Sequence, residues 1–402
     1  MRIYDDEKQI YVKKALEMST LEEQNQLKEQ LDNIDWSILD NLLNKNNNNL
    51  RGTFTPLNAI EIPEIEKRKD EFKEIGLKAI REYKIGAVLL AGGQGTRLGL
   101  DKPKGTLNIG INKYIYLFEQ LIHNLQDVVK EANCYIPLYI MTSNINNNDT
   151  INFFKEHNYF DYPKEYIKFF VQDMVPACDY EGRVYMENKK EIVMSPNGNG
   201  GWFSSMVKAG LMKDIKEKGI EWLNVFAVDN CLQRIADPSF IGATIVYGME
   251  SGAKVVRKAS PNEKVGILCN EDGKPSIVEY YEMTEEMETL HKENGDLAYN
   301  FGVILNYLFS VDKLIKIVNN HMITHIVEKK IPYMDIKGEY IKPEKPNGYK
   351  FETLVLDMVH MMDNCLPYEV KREYEFAPIK NLHGIDSLDS ARELMIKCGI
   401  NI

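Results

Sequence analysis

The chain's 402 residues are 44% hydrophobic and 27% charged, a balance that excludes wholesale disorder and allows one large core or two to three smaller ones. Its net charge of -11 argues against a general binder of nucleic acid or anionic membrane, but not against an anionic ligand held by a local cluster of cations and amide dipoles. No apolar run approaches the roughly 18 residues of a membrane span.

The opening "MRIYDDEKQIYVKK" lacks the apolar core of a secretory leader. Cys134, Cys178, Cys231, Cys269, Cys365 and Cys398 lie far apart without a CxxC pair, which reads as reduced thiols in a cytoplasmic protein. Residues 6–43 read as short helices with Trp36 as a packing anchor, and "NKNNNN" (44–49) as a mobile low-complexity loop. "PEIEKRKDEFKEIGLKAIREYK" (63–84) predicts a helix opened by Pro63. Strands and helices then alternate: strand 85–91, helix 113–130, strand 135–143, helix 149–157, strand 166–172, helix 203–219, strand 222–230. Such an order implies an α/β fold, a doubly wound, mainly parallel sheet with helices on both faces. Ligands of these sheets bind outside the carboxyl ends of the strands. "GILCNEDGKPSIVEY" (266–280) breaks the alternation and predicts an inserted β-hairpin turning at "EDGK". His321 and His325 are four apart, but "MIT" between them lacks the glutamate of a zinc-protease helix, so no metal is assigned there. No internal repeat is evident.

"LLAGGQGTRLG" (89–99) places four glycines and an arginine directly after the first buried strand. A Walker A loop needs Lys-Ser/Thr after its glycines; here Thr96 and Arg97 follow Gly95. A dinucleotide fingerprint counted from Gly93 meets Gly95 and then Leu98, and Ile115 stands where the ribose-binding acid belongs. What remains is a loop whose backbone approaches a ligand closely and aims its N–H groups at phosphate oxygens or a base edge. Arg97 adds donors that never lose their charge.

This loop, followed by "PKG" (103–105), resembles the signature of the UDP-N-acetylhexosamine pyrophosphorylases. The resemblance continues, in order, through "MTS" (141–143), "FFKEHNYF" (153–160), "FFVQDMVPAC" (169–178), "PNGNGG" (196–201), "VDN" (228–230), "ADPSFIG" (236–242), "GAKVVRK" (252–258), "VGILCNEDG" (265–273), "VEY" (278–280), "KPNGYKFE" (345–352) and "EFAPIKN" (375–381). It implies a Rossmann-like nucleotidyltransferase: a short helical N-terminal region over 1–60 and a catalytic domain over 61–402. The implied reaction joins UTP and N-acetylglucosamine 1-phosphate to give UDP-N-acetylglucosamine and pyrophosphate. The attacking phosphate oxygen is already an anion, so cations and oriented donors are the catalyst and no general base is needed.

Arg97 is the candidate for the β- and γ-phosphates, and Lys104, between Pro103 and Gly105, for phosphate as well. Asp229 ends a buried strand; a carboxylate there suits Mg²⁺ (or Mn²⁺), an Asp-Asn turn is the plain alternative, and the resemblance favours the metal. The resemblance alone implies Lys380 for the α-phosphate. It also implies Gly92, Gly93, Gly95, Gln172 and Gly198 for the nucleotide, and Asn199, Gly266, Glu279, Asn300 and Lys350 for the sugar.

Several positions depart from the family pattern: Leu354 and Leu356 where aromatics are frequent, Tyr299 and Val303 in "YNFGVI", and Trp202 where a smaller apolar residue is common. The sequence stops 22 residues after Lys380, so a separate large C-terminal domain is not expected and a monomer is. Two alternatives stand beside the first reading: a uridylyltransferase of wider sugar range, and a non-enzymatic UDP-sugar-binding regulator.

Overall fold

The structure, a computed structural model, describes residues 3–43, 51–318 and 322–402. The asparagine-rich loop at 44–49 and His321 of the histidine pair lie outside them. The chain divides into two compact units: Met1–Arg51, Asp173–Gly201 and Met322–Val355 form the smaller, and Gly52–Gln172, Trp202–His321 and Leu356–Ile402 the larger. The motif order puts 173–201 and 322–355 in one domain with the sheet; by contacts they group with the N-terminal helices. The reason is a shared core. Helices Ile10–Met18 and Leu21–Asp32 are too short to stand alone. They bury Val12, Ala15, Leu27 and Leu31 against Val184, Met186, Ile192 and Met334 of short β segments. A capping box starts the second helix, with Thr20 N–H donating to Glu23 Oε2 at 2.8 Å. Trp36 packs on this core and donates to Leu31 O at 2.9 Å.

The larger unit is built on a ten-stranded sheet. Its strands are β1 (Phe54–Pro56), β2 (Ile85–Leu90), β3 (Leu138–Thr142), β4 (Ile167–Val171), β5 (Trp222–Ala227), β6 (Ser251–Arg257), β7 (Ile267–Glu271), β8 (Lys274–Val278), β9 (Phe301–Ser310) and β10 (Leu366–Glu369). The parallel core has the order β5-β2-β3-β4. Every residue of β2 and β3 is buried, which is why they read as unbroken apolar runs rather than alternating ones. The chain steps from β2 through α3 (Leu117–Ala132) to β3, and through α4 (Asn147–Glu156) to β4. It then returns to the other side of β2 as β5. That reversal makes the gap between β2 and β5 the switch point where such sheets hold ligands. Ala227 pairs with Leu90, so the two strands end level.

Antiparallel pairings extend the sheet: β9 lies beside β5, then β7 and β1, and β6 pairs with β9; β10 joins the far edge of β6 in parallel. The expected hairpin is β7–β8, turning at Asp272 (φ 50°) and Gly273 (φ 84°), two positive φ angles that suit a tight hairpin turn. Two expected helices are each broken in two. The run 63–84 is α1 (Ile62–Lys67) and α2 (Lys69–Arg81), separated at Arg68. The run 203–219 is α5 (Trp202–Lys208) and α6 (Met212–Lys218), with Gly210 at φ 75° between them.

Helix α2 crosses α7 (Pro238–Val246) at backbone contact. A Cβ on Gly76 would stand 1.9 Å from Pro238 O, and one on Gly242 1.7 Å from Phe72 O, so both positions require glycine. Trp202 is fully buried, packs on Phe203 and Phe309, and points Nε1 at Met358 Sδ, 3.0 Å away. It fills the core of the larger unit. All six cysteines are free thiols. Among the described residues, no helix is long and apolar enough to cross a membrane.

Candidate active site

The glycine loop leaves β2 at its carboxyl end and folds back on itself in short 3₁₀ turns at Thr96–Leu98 and Lys104–Thr106. Gly95 N–H donates to Lys102 O at 3.2 Å and Lys104 N–H to Gly93 O at 3.3 Å, which closes the loop into a ribbon. Its base is held by Asn146, a fully buried side chain whose Nδ2 donates to Ala91 O at 2.9 Å and to Gly93 O at 3.4 Å. Ser143 N–H in turn donates to Asn146 Oδ1 at 2.8 Å. The sequence hides Asn146 inside "NINNN", where it looks like loop composition; only its position three residues past "MTS" singles it out.

Strand β5 delivers Asp229 beside this loop. Lys104 Nζ lies 3.9 Å from Asp229 Oδ2, with both side chains partly sheltered. The Lys104 ammonium is held below the ordinary lysine range, chiefly by burial, and Arg97 and Lys380 push the same way while Asp229 opposes them. Three cations and one carboxylate therefore share a small region, and a bound phosphate group would relieve the strain among the cations.

Lys380 arrives from far along the chain. The "VDN" strand end zips against "EFAPIKN": Ile379 N–H donates to Asp229 O at 2.9 Å, Ala377 N–H to Asn230 Oδ1 at 2.9 Å, and Asn230 Nδ2 to Glu375 O at 2.7 Å. Asn230, 2% exposed, is thus the clamp that brings Lys380 to Asp229 rather than a surface turn residue.

Gln172 ends β4, is buried, and faces the loop: a Cβ added to Gly92 would come within 2.9 Å of Gln172 Oε1. Glycine at 92 keeps that amide reachable. Gly266 has the same relation to Glu279, whose carboxylate would lie 3.5 Å from a Cβ there. Asn300 is buried and accepts Lys258 N–H at both its main-chain O (2.9 Å) and Oδ1 (3.2 Å), so part of its polar capacity holds β6 in place. Tyr299 is buried too, its hydroxyl donating to Phe54 O at 2.9 Å, and Val303 N–H donates to Gly266 O at 2.9 Å.

Gly198, Asn199 and Lys350 belong to the smaller unit. Gly198 has φ 86°, and a Cβ on it would stand 2.2 Å from Thr353 O. Asn199 Oδ1 accepts Val355 N–H at 2.9 Å. Gly198 and Lys350 line a cavity of about 550 Å³ together with Lys329, Lys330, Glu352 and Ser195. Lys350 is held below the usual lysine range by burial, with Glu352 opposing and Lys329 adding to the shift. The buried Ser195 Oγ has no hydrogen-bond partner among the described residues.

A family model described as UTP--glucose-1-phosphate uridylyltransferase matches residues 24–394. The UDP-N-acetylglucosamine pyrophosphorylase of Saccharomyces cerevisiae is 38% identical over 348 residues, covering 83% of this chain and 72% of that protein. The UDP-N-acetylhexosamine pyrophosphorylase-like protein 1 of Homo sapiens is 38% identical over 339 residues, 82% of this chain. The chain spans 63%, 66% and 64% of the length of the mouse, human and Xenopus tropicalis proteins of that name. Among solved structures, the uridine diphosphate N-acetylglucosamine pyrophosphorylase of Trypanosoma brucei, in complex with an inhibitor, superimposes with a TM-score of 0.83 at 27% identity, covering 97% of this chain and 82% of that one. The chain belongs to the UTP--glucose-1-phosphate uridylyltransferase family, and within it to the UDP-N-acetylhexosamine pyrophosphorylases.

Proposed function

We propose that this chain is a uridylyltransferase that converts UTP and N-acetylglucosamine 1-phosphate to UDP-N-acetylglucosamine and pyrophosphate. The observation that carries the reading is Lys104 lying 3.9 Å from Asp229 at the switch point of the sheet, with Arg97 and Lys380 near enough to act on its charge. A sugar-phosphate oxygen attacks the α-phosphorus in line, the bond to the β-phosphate oxygen breaks, and pyrophosphate leaves. Charge is the obstacle at each stage, because one polyanion meets another and a third departs. Arg97 and Lys104 bind the departing phosphates; Lys380 stabilises the charge that develops at the α-phosphate. Gly92, Gly93, Gly95 and Gln172 serve the nucleotide, and Gly266, Glu279 and Asn300 the sugar. On the motif resemblance, Gly198 serves the nucleotide, and Asn199 and Lys350 the sugar.

Asp229 is the proposed magnesium ligand. Among the described residues, no group of three or more His, Cys, Asp and Glu gathers to hold a metal. A lone carboxylate nevertheless fits Mg²⁺, which is commonly bound through one or two carboxylates plus substrate phosphates. When bound, the ion neutralises phosphate charge. Asp229→Asn is expected to raise the Mg²⁺ concentration needed for half-maximal rate; an unchanged titration would remove Asp229 from the metal site.

The substrate test is pyrophosphate release from UTP with Mg²⁺ and each sugar phosphate in turn. Turnover with N-acetylglucosamine 1-phosphate well above that with glucose 1-phosphate supports the proposal. Comparable rates point to a wider sugar range, and no release with any sugar points to a binding protein. A monomeric, cytoplasmic enzyme is part of the same proposal, with UTP and the sugar phosphate as its partners.

A further inference from the structure

One residue holds Lys380 at both ends. The main-chain oxygen of Asp386 accepts Lys380 N–H at 2.6 Å and Asn381 N–H at 3.2 Å. Its side-chain Oδ2 accepts from Lys380 Nζ at 2.8 Å. Asp386 reaches this position with φ 52°, a left-handed conformation that aspartate and asparagine tolerate better than most residues. The neighbouring backbone locks it there. Leu388 N–H donates to Asn381 O at 2.9 Å, and helix α8 (Leu388–Lys397) begins at once, with Ser390 N–H donating to Ser387 Oγ at 3.1 Å. The carboxylate is therefore anchored to a helix start rather than to a loose loop.

Its charge has a use. Lys380 carries a long flexible stem and lies near enough to Lys104, a cation that Arg97 also repels, to act on its charge. Left alone, its ammonium would swing from its like-charged neighbours into water. We propose that Asp386 is the positioning residue of Lys380: it keeps the ammonium aimed at the cation cluster before phosphate arrives and during transfer. The proposal rests on the uridylyltransferase reading above.

Two variants separate charge from backbone. Asp386→Asn keeps shape and tolerance of positive φ but loses the charge. Asp386→Gly keeps the main-chain bonds, relieves the left-handed conformation and loses the side chain. Both are expected to fold, with circular dichroism and thermal midpoint near the parent's. Each is expected to lower kcat by roughly 10- to 100-fold, the scale of a misplaced catalytic group, with KM for UTP little changed. In a Lys380→Ala background neither should cause further loss, because the effect passes through Lys380. Additive losses in that background, or full activity in both single variants, would overturn the positioning role. If Lys380→Ala itself keeps full activity, the cluster reading fails instead; if Lys380→Ala is impaired while the Asp386 variants are not, only the positioning role fails.

Discussion

Lys380→Ala is expected to lower turnover by roughly 10²–10³-fold, the usual cost of removing one donor aimed at developing charge. The protein should stay folded. The ammonium's ion pair with Asp386 is partly exposed, with side chains 41% and 30% accessible. Pairs of this kind contribute roughly 0.2–1 kcal/mol. Removing one of three neighbouring cations also relieves repulsion on Lys104. Steady-state rates of pyrophosphate release, with circular dichroism as the folding control, test this directly. A fully active variant would remove Lys380 from the chemistry.

The second large effect concerns stability. Lys254 is fully buried on β6, and its Nζ has three acceptors: Asp237 Oδ2 at 3.0 Å, Glu375 Oε2 at 2.5 Å and Arg234 O at 3.1 Å. Burial raises the Glu375 carboxyl above its usual range, with Asp237 adding to the rise and Lys254 opposing it. Asp237 lies below its usual range: burial alone would raise it, but Lys254 and Arg234 outweigh that. Lys254→Met is expected to cost about 3–5 kcal/mol, because it takes a shared cation from two buried carboxyl groups, leaving Asp237 with Arg234 alone and Glu375 without its ion pair. Urea unfolding would read this as a lower midpoint; a midpoint equal to the parent's would show that the network carries no such energy. Adding Glu375→Gln to Lys254→Met should recover part of the loss. The same network steadies Glu375, five residues before Lys380, and so the segment that Asn230 clamps.

Much of the larger unit was legible because its signals are local. "IGAVLLA" is apolar throughout because β2 is buried on both faces, and "EDGK" turns because Asp272 and Gly273 accept positive φ. The glycine loop and Arg97 could be chosen by eliminating the loops they cannot form. Other features depend on contacts across the chain. Nothing near Lys380 marks it; its place comes from Asn230, some 147 residues from Ala377 in sequence. Asn146 was masked by its asparagine-rich neighbours, although its amide holds the loop. The grouping of 173–201 and 322–355 with the N-terminal helices was invisible for the same reason, since each segment is too short and too weakly patterned to declare which core it joins. The helix breaks at Arg68 and Gly210 fell inside runs whose periodicity and charge pattern fit a continuous helix.

The pairing of β6 with β10 has a consequence during synthesis. Residues 366–369 emerge more than a hundred positions after the strand they cover. Until they arrive, the outer rim of β6 offers unsatisfied amides and carbonyls to any passing extended peptide. Lys254 likewise waits for Glu375. A ribosome stalled in this interval holds a chain with most of its sheet, an open seam and no Lys380. The nascent protein therefore carries an open strand edge until just before it acquires the last of its proposed phosphate-binding cations.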